Sequence, residues 1–178
     1  MEIKEIKNNY HYEKLSSKHD LSRFSCGVKD LDEFLKLKAL KEQEEHLSVT
    51  YLAIYQEEIL GFITILNDNI PYNIVKNNVE TKYKSYPSVK IGRLGVNIKF
   101  KGLHFGTMIL DDISRDIKEL SEEISIKFIV VDSYCHARKF YLKNSFTSMN
   151  LHNPKKVKRV SLKNKNKTVT LFKDINKI

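Results

Sequence analysis

The segment Val89–Leu110, VKIGRLGVNIKFKGLHFGTMIL, constrains the fold of this chain more than any other. Its apolar opening, Val89–Val96, reads as a strand, and Phe100–Gly106 as a short basic glycine loop. Thr107–Leu120 then reads as an amphipathic helix, with Ile109, Ile113, Ile117 and Leu120 on one face. This order sets free backbone N–H groups at a helix N-terminus beside Lys99 and Lys101. The helix dipole and the free donors both favour an anion there, a phosphate above all. Gly102 and Gly106 let the backbone approach phosphate oxygens with no side chain between. The loop is neither a G-x-x-x-x-G-K-[ST] P-loop nor a G-x-G-x-x-G dinucleotide turn, since both patterns are absent.

The remaining elements follow from periodicity. Ile3 and Ile6 suggest a short first strand. After Gly27, apolar Leu31, Phe34, Leu35, Ala39 and Leu40 recur at helical spacing, with Asp30 or Asp32 placed to cap or favour the first turn. Ser48–Tyr55 and Ile59–Leu66 are β-branched and aromatic, and Gln56, Glu57 and Glu58 between them fit a hairpin loop. Asn67–Ser88 shows no sustained period; a loop of that length is often functional or carries a short helix. Ile126–Val131 reads as a buried strand parallel to the Val89 strand through a right-handed crossover. Ala137–Asn144 reads as a short helix and Thr168–Phe172 as a last strand. The order β–α–β–β–β–α–β–α–β describes a mixed sheet with helices on both faces, built by residues 1–178 as one domain.

Composition narrows the class. With 178 residues and 41% hydrophobic side chains, the chain can bury a core and is unlike a disordered sequence. No apolar run suits a membrane span, and MEIKEIKNNYHYEK lacks the apolar stretch of a signal peptide, so the expected location is the cytoplasm and no membrane partner is expected. Cys26 and Cys135 read as free thiols, and no His, Cys, Asp or Glu grouping has metal-ligand spacing, so no metal is expected. The formal charge is +9, part of it in KKVKR (Lys155–Arg159) and KNKNK (Lys163–Lys167). A basic surface captures anions, whether nucleic acid or cofactor phosphates, though no aromatic side chains interleave these runs as a stacking platform would need.

IGRLGV (Ile91–Val96), then Lys101-Gly102-Leu103-His104-Phe105-Gly106, then AxxFYxxxxF (Ala137, Phe140, Tyr141, Phe146) together resemble the GNAT superfamily of acyl-CoA-dependent N-acetyltransferases. The likeness runs from about Leu47 to Phe146. Two departures from the family loop [RQ]-x-x-G-x-[GA] stand out: Lys101 replaces Arg or Gln, and His104 replaces the usual glycine. The resemblance implies an α/β (α+β) fold with a mostly antiparallel twisted sheet, splayed at a central parallel strand pair. It implies that acetyl-CoA lies along Leu94, Gly95, Val96, Lys101, Gly102, Leu103, His104, Phe105, Gly106 and Thr107, and that Tyr141 is the general acid to the departing thiolate. A backbone N–H within Leu94–Val96 would stabilise charge on the thioester oxygen. No Asp or Glu lies in Val89–Val96, where many members carry a base; an α-amine, titrating near 7.7–8.0, needs one less than a lysine does.

FSCGVKDLDEFLKLKAL (Phe24–Leu40) is further similar to the F-x-C-G-x-x-x-L-D-x-F-L opening of a GNAT subgroup of TacT-type toxins. That likeness implies aminoacyl-tRNA as acceptor, a ribbon-helix-helix antitoxin as partner and a homodimer. Phe24, Cys26, Gly27, Leu31 and Phe34 read equally as the entry and core face of the first helix. The residues leave open a protein N-terminus, a polyamine or another small amine as acceptor. They also leave open a weakly catalytic CoA- or RNA-binding module, for which His104 is the support.

Overall fold

The computed structural model describes residues 2–148 and 168–178. The basic runs Lys155–Arg159 and Lys163–Lys167 therefore lie outside the described residues. In chain order the elements are α1 (Ile3–Asn9), β1 (His11–Lys14), α2 (Lys29–Leu37), α3 (Ala39–Glu44), β2 (Val49–Tyr55), β3 (Glu58–Pro71), α4 (Tyr72–Val75), β4 (Ser85–Val96), a 3₁₀ turn (Ile98–Phe100), α5 (Phe105–Leu120), β5 (Phe128–Tyr134), α6 (Arg138–Lys143), β6 (Thr168–Asp174) and a final 3₁₀ turn (Ile175–Lys177). The strands form one sheet in the order β1-β2-β3-β4-β5-β6. It is mostly antiparallel with one parallel pair. β4 and β5 are neighbours joined through α5, the crossover that parallel strands require.

The structure corrects the opening of the chain. Ile3 and Ile6 sit in helix α1, with Ile6 wholly buried, and the first strand is His11–Lys14. HYEK is polar because it lies at the edge of the sheet, pairing His11 with Ile54 through Lys14 with Tyr51. Charged edge strands discourage pairing with other chains, and they carry no apolar alternation to read. The long helix after Gly27 is broken at Lys38, whose φ of −124° leaves the helical region. Phe34 and Leu35 of α2 and Ala39 of α3 enter the same core, so the helical spacing survives the break. The hairpin loop is two residues, Gln56 and Glu57, with Gln56 at φ 54°.

Two compact units are present. One comprises Met1–Leu66 and Ile91–Ile113, the other Asn67–Lys90 and Ser114–Ile178. The first is centred on Phe62, whose ring meets Phe24 edge-on at 5.7 Å and stacks with Phe34 at 6.4 Å. The second is centred on Phe128, edge-on to Tyr86 at 6.0 Å and to Phe172 at 5.5 Å, with Ile70, Val75 and Val130 closing the cluster. The stretch without a period, Asn67–Ser88, resolves into the end of β3, the single turn α4, a loop over residues 76–84 and the start of β4.

Candidate functional site: the end of strand β4 and the turn before helix α5

Leu94, Gly95 and Val96 are the last residues of β4. A Cβ on Gly95 would lie 2.5 Å from Cε1 of Phe62, so only glycine lets the strand close onto that ring. Gly61 of β3 is held as tightly: its Cβ would meet the Gly95 carbonyl oxygen at 2.8 Å. Asn97, which the sequence reading passed over, fixes the strand end. Its backbone N–H donates to the Leu60 carbonyl at 2.8 Å, its Nδ2 to the Ile59 carbonyl at 3.0 Å, and its Oδ1 accepts from the Lys99 N–H at 3.1 Å. An asparagine capping a turn straight after a strand was the available signal. Asn97→Ala removes both side-chain bonds from a buried position and should cost about 1–3 kcal/mol. An unchanged midpoint of thermal unfolding would contradict this.

From Lys101 to His104 the chain turns into α5. Gly102 has φ +80°, and a Cβ there would meet nothing within 4 Å, so backbone conformation and not space selects glycine. His104 has φ +68°, which explains why the resembled loop carries glycine at this place. Its side chain is exposed, and its carbonyl accepts from the Met108 N–H at 3.1 Å. His104→Gly is expected to leave stability within about 1 kcal/mol of the parent, as relief of left-handed strain offsets a freer unfolded chain. His104→Val should lose about 1–2 kcal/mol. Equal urea midpoints for the two variants would show that φ does not govern the position.

Phe105 and Gly106, read from sequence as loop, join Thr107 in the first turn of the 16-residue helix α5. The first turn of a helix has N–H groups without intrahelical acceptors, and this one carries Gly106 and Thr107. The Phe105 side chain is core, edge-on to Phe100 at 5.5 Å, so any part it plays toward a cofactor is through its backbone. Of the two lysines, Lys99 is engaged: its Nζ lies 2.7 Å from Oε1 of Glu58. Lys101 is exposed, and its Nζ would lie 3.6 Å from a Cβ on Gly27.

That proximity joins the F-x-C-G segment to the turn. Ile98 donates its N–H to the Ser25 carbonyl at 2.8 Å, and Gly27, at φ +71°, lets the chain pass Ile98 closely. Phe24 and Cys26 are buried. Neither Asp30 nor Asp32 caps α2, whose N-cap is Val28. Asp32 instead accepts from Ser25 Oγ and from the Cys26 N–H, both at 2.7 Å. Burial first, and then Asp32, push the Cys26 thiol up to about 11, so it stays protonated and is a poor nucleophile at neutral pH.

Tyr141 lies on α6, in the unit Asn67–Lys90 with Ser114–Ile178. Its ring is edge-on to Phe140 at 5.0 Å and to Phe146 at 5.5 Å, and its carbonyl accepts from the Phe146 N–H at 3.1 Å. Burial raises its hydroxyl to about 12. Ala137 is the N-cap of α6, so the AxxFYxxxxF spacing records one helix and the turn that returns Phe146 onto it. Just before, His136 stacks on Tyr134 with ring centroids 5.6 Å apart, and Cys135 is a free, half-buried thiol.

No family model matches the chain. The mixed six-stranded sheet with helices around it matches GNAT-like toxin folds. Over 135 residues the chain is 23% identical to the tRNA-acetylating toxin of Mycobacterium tuberculosis, covering 75% of this chain and 81% of that protein. AtaT complexed with acetyl-methionyl-tRNAfMet superposes with a TM-score of 0.77 at 20% identity, over 95% of this chain and 96% of AtaT. A tyrosine-to-phenylalanine mutant of the AtaT toxin, bound to the C-terminus of the antitoxin AtaR and acetyl-CoA, gives a TM-score of 0.72 at 20% identity, over 95% of each chain. Among the described residues no helix is long and apolar enough to cross a membrane.

Proposed function

We propose that this protein is an acetyl-CoA-dependent N-acetyltransferase that acetylates the α-amine of aminoacyl-tRNA, as the toxin of a toxin–antitoxin pair. The observation that carries the reading is the turn Lys101–His104: two left-handed residues delivering the chain to the N-terminus of α5, in the fold of a toxin seen with an acetylated tRNA. The donors at that helix start, with the exposed Lys101, suit a pyrophosphate. Acetyl-CoA supplies an activated acyl carbon. In that reaction a backbone N–H within Leu94–Val96 would hold the thioester oxygen, Tyr141 would give its proton to the thiolate as the C–S bond breaks, and the proton released by the acylated nitrogen would pass to water.

The reading extends to a cytoplasmic location, an antitoxin partner of ribbon-helix-helix type and a homodimer. It treats residues 1–178 as one domain, since the chain passes between its two units inside strands β3 and β4 and helix α5 and not through a linker. The test is transfer of label from acetyl-CoA to an aminoacyl-tRNA pool, with deacylated tRNA and polyamines as controls. Label on aminoacyl-tRNA alone is expected. Label on polyamines would keep the fold and cofactor but discard the substrate.

A further inference from the structure

The unit formed by Asn67–Lys90 and Ser114–Ile178 carries a charged cluster that the mechanism above does not use. Lys90 of β4 reaches Oδ2 of Asp132 on β5 at 2.7 Å and Oδ2 of Asp68 on β3 at 3.6 Å. Thr170 of β6 donates its hydroxyl to Oδ1 of Asp132 at 2.7 Å. Four neighbouring strands thus converge on one face of the sheet. The pair locks its own charges: the bond to Asp132 raises Lys90, and Lys90 and Thr170 hold Asp132 below the usual carboxylate range despite its partial burial.

Among the described residues, two carboxylates against one ammonium leave one uncompensated negative charge, on a chain whose formal charge is +9. The carboxylates also have acceptor capacity left, because each can take about four hydrogen bonds. The cluster is open to a ligand, with the three side chains 28–39% exposed. A separate observation points the same way. Ser88, two residues before Lys90 and on the same face of β4 by strand alternation, is only 5% exposed, and its hydroxyl has no hydrogen-bond partner among the described residues. An orphaned buried hydroxyl beside a cluster of net negative charge is half of an unmade polar contact.

We propose that Asp68, Lys90 and Asp132 form a binding site for a primary ammonium group and, resting on the function proposed above, that the acceptor amine docks there before it is acetylated. An α-amine titrates near 7.7–8.0, so much of it arrives charged at neutral pH. Asp68 and Asp132 accept its N–H groups, while Lys90 bridges the two carboxylates.

The experiment is a titration of the full-length protein, at pH 6.5, with alanine methyl ester, followed by amide NMR. N-acetylalanine methyl ester, which lacks the charge, is the control. The charged ester is expected to shift the amides of Lys90, Asp132 and Thr170, and the control is not. Asp68→Asn and Asp132→Asn should each weaken the ester by about tenfold or more, the scale of one charge-assisted hydrogen bond, with acetyl-CoA affinity unchanged. Asp68→Glu should recover most of the binding. Asp68 is the looser partner of Lys90, so its variant keeps the test valid should Asp132→Asn unfold. Equal binding of ester and control, no binding, shifts confined to other amides, or unweakened variants overturn the proposal. Acetyl transfer takes no part in this readout. A protein that binds the ester here yet acetylates nothing overturns the proposed function and leaves the site.

Discussion

Tyr141→Phe is expected to lower the rate of acetyl transfer by roughly 10²- to 10⁴-fold, the usual worth of a positioned general acid. Acetyl-CoA affinity and folding should change little. The ring is what packs against Phe140 and Phe146, and phenylalanine keeps it. What is lost is one proton. Burial pushes the hydroxyl up to about 12, so the protonated form, which is the donating one, persists across the whole working range. The sign follows: Tyr141 should impose no loss of rate as pH rises from 6 to 9, and loss through its ionisation should have its midpoint near 12. The check is single-turnover kinetics of both proteins across that range. A variant as fast as the parent would make Tyr141 a packing residue. A basic limb with a midpoint well below 12 that disappears in the variant would show that burial does not hold its proton.

Much of this region was legible because its residue choices answer local demands. Gly102 stands out in sequence as a place where backbone can approach a phosphate, and its φ of +80° adds a conformational reason for glycine there. The apolar spacing of Ile109, Ile113 and Ile117 reports α5 because all three are buried, while Leu120, read as a fourth member of that face, is exposed at the helix end. Other features stayed hidden because they depend on partners distant in sequence. Nothing local in HYEK says strand; the pairing with Tyr51, Leu52, Ala53 and Ile54 of β2 makes it one. Lys38 breaks a helix whose apolar spacing continues across the break. Asp68 and Asp132 are unremarkable in sequence, 64 positions apart, and become a site only when β3, β4 and β5 lie side by side. His104 is an intermediate case. The family likeness marks the departure from glycine, but only the backbone angle tells what the departure strains.

Gly61 shows the same dependence at its strongest. Its sequence setting, ILGFITIL, offers no turn and no loop, only a small residue inside a β-branched strand. Gly61→Ala is nevertheless expected to destabilise the protein by about 1–3 kcal/mol through overpacking. For a chain of this size that lowers the melting temperature by about 2–4 °C per kcal/mol. The added carbon would stand 2.7 Å from Cδ1 of Ile109, 2.8 Å from the Gly95 carbonyl oxygen and 3.4 Å from the Val96 Cα. The first contact is the tip of a side chain and can yield. The second is backbone in the stretch proposed to hold the thioester, and it can yield only by moving β4. Ile109→Val deletes Cδ1 and separates the two. Alone it should cost about 0.5–1.5 kcal/mol. Combined with Gly61→Ala it should recover only part of the loss, because the carbonyl contact persists, and acetyl-CoA affinity should stay low in the double variant. Full recovery of both stability and affinity would place the strain on the Ile109 side chain and free the end of β4 from any dependence on Gly61.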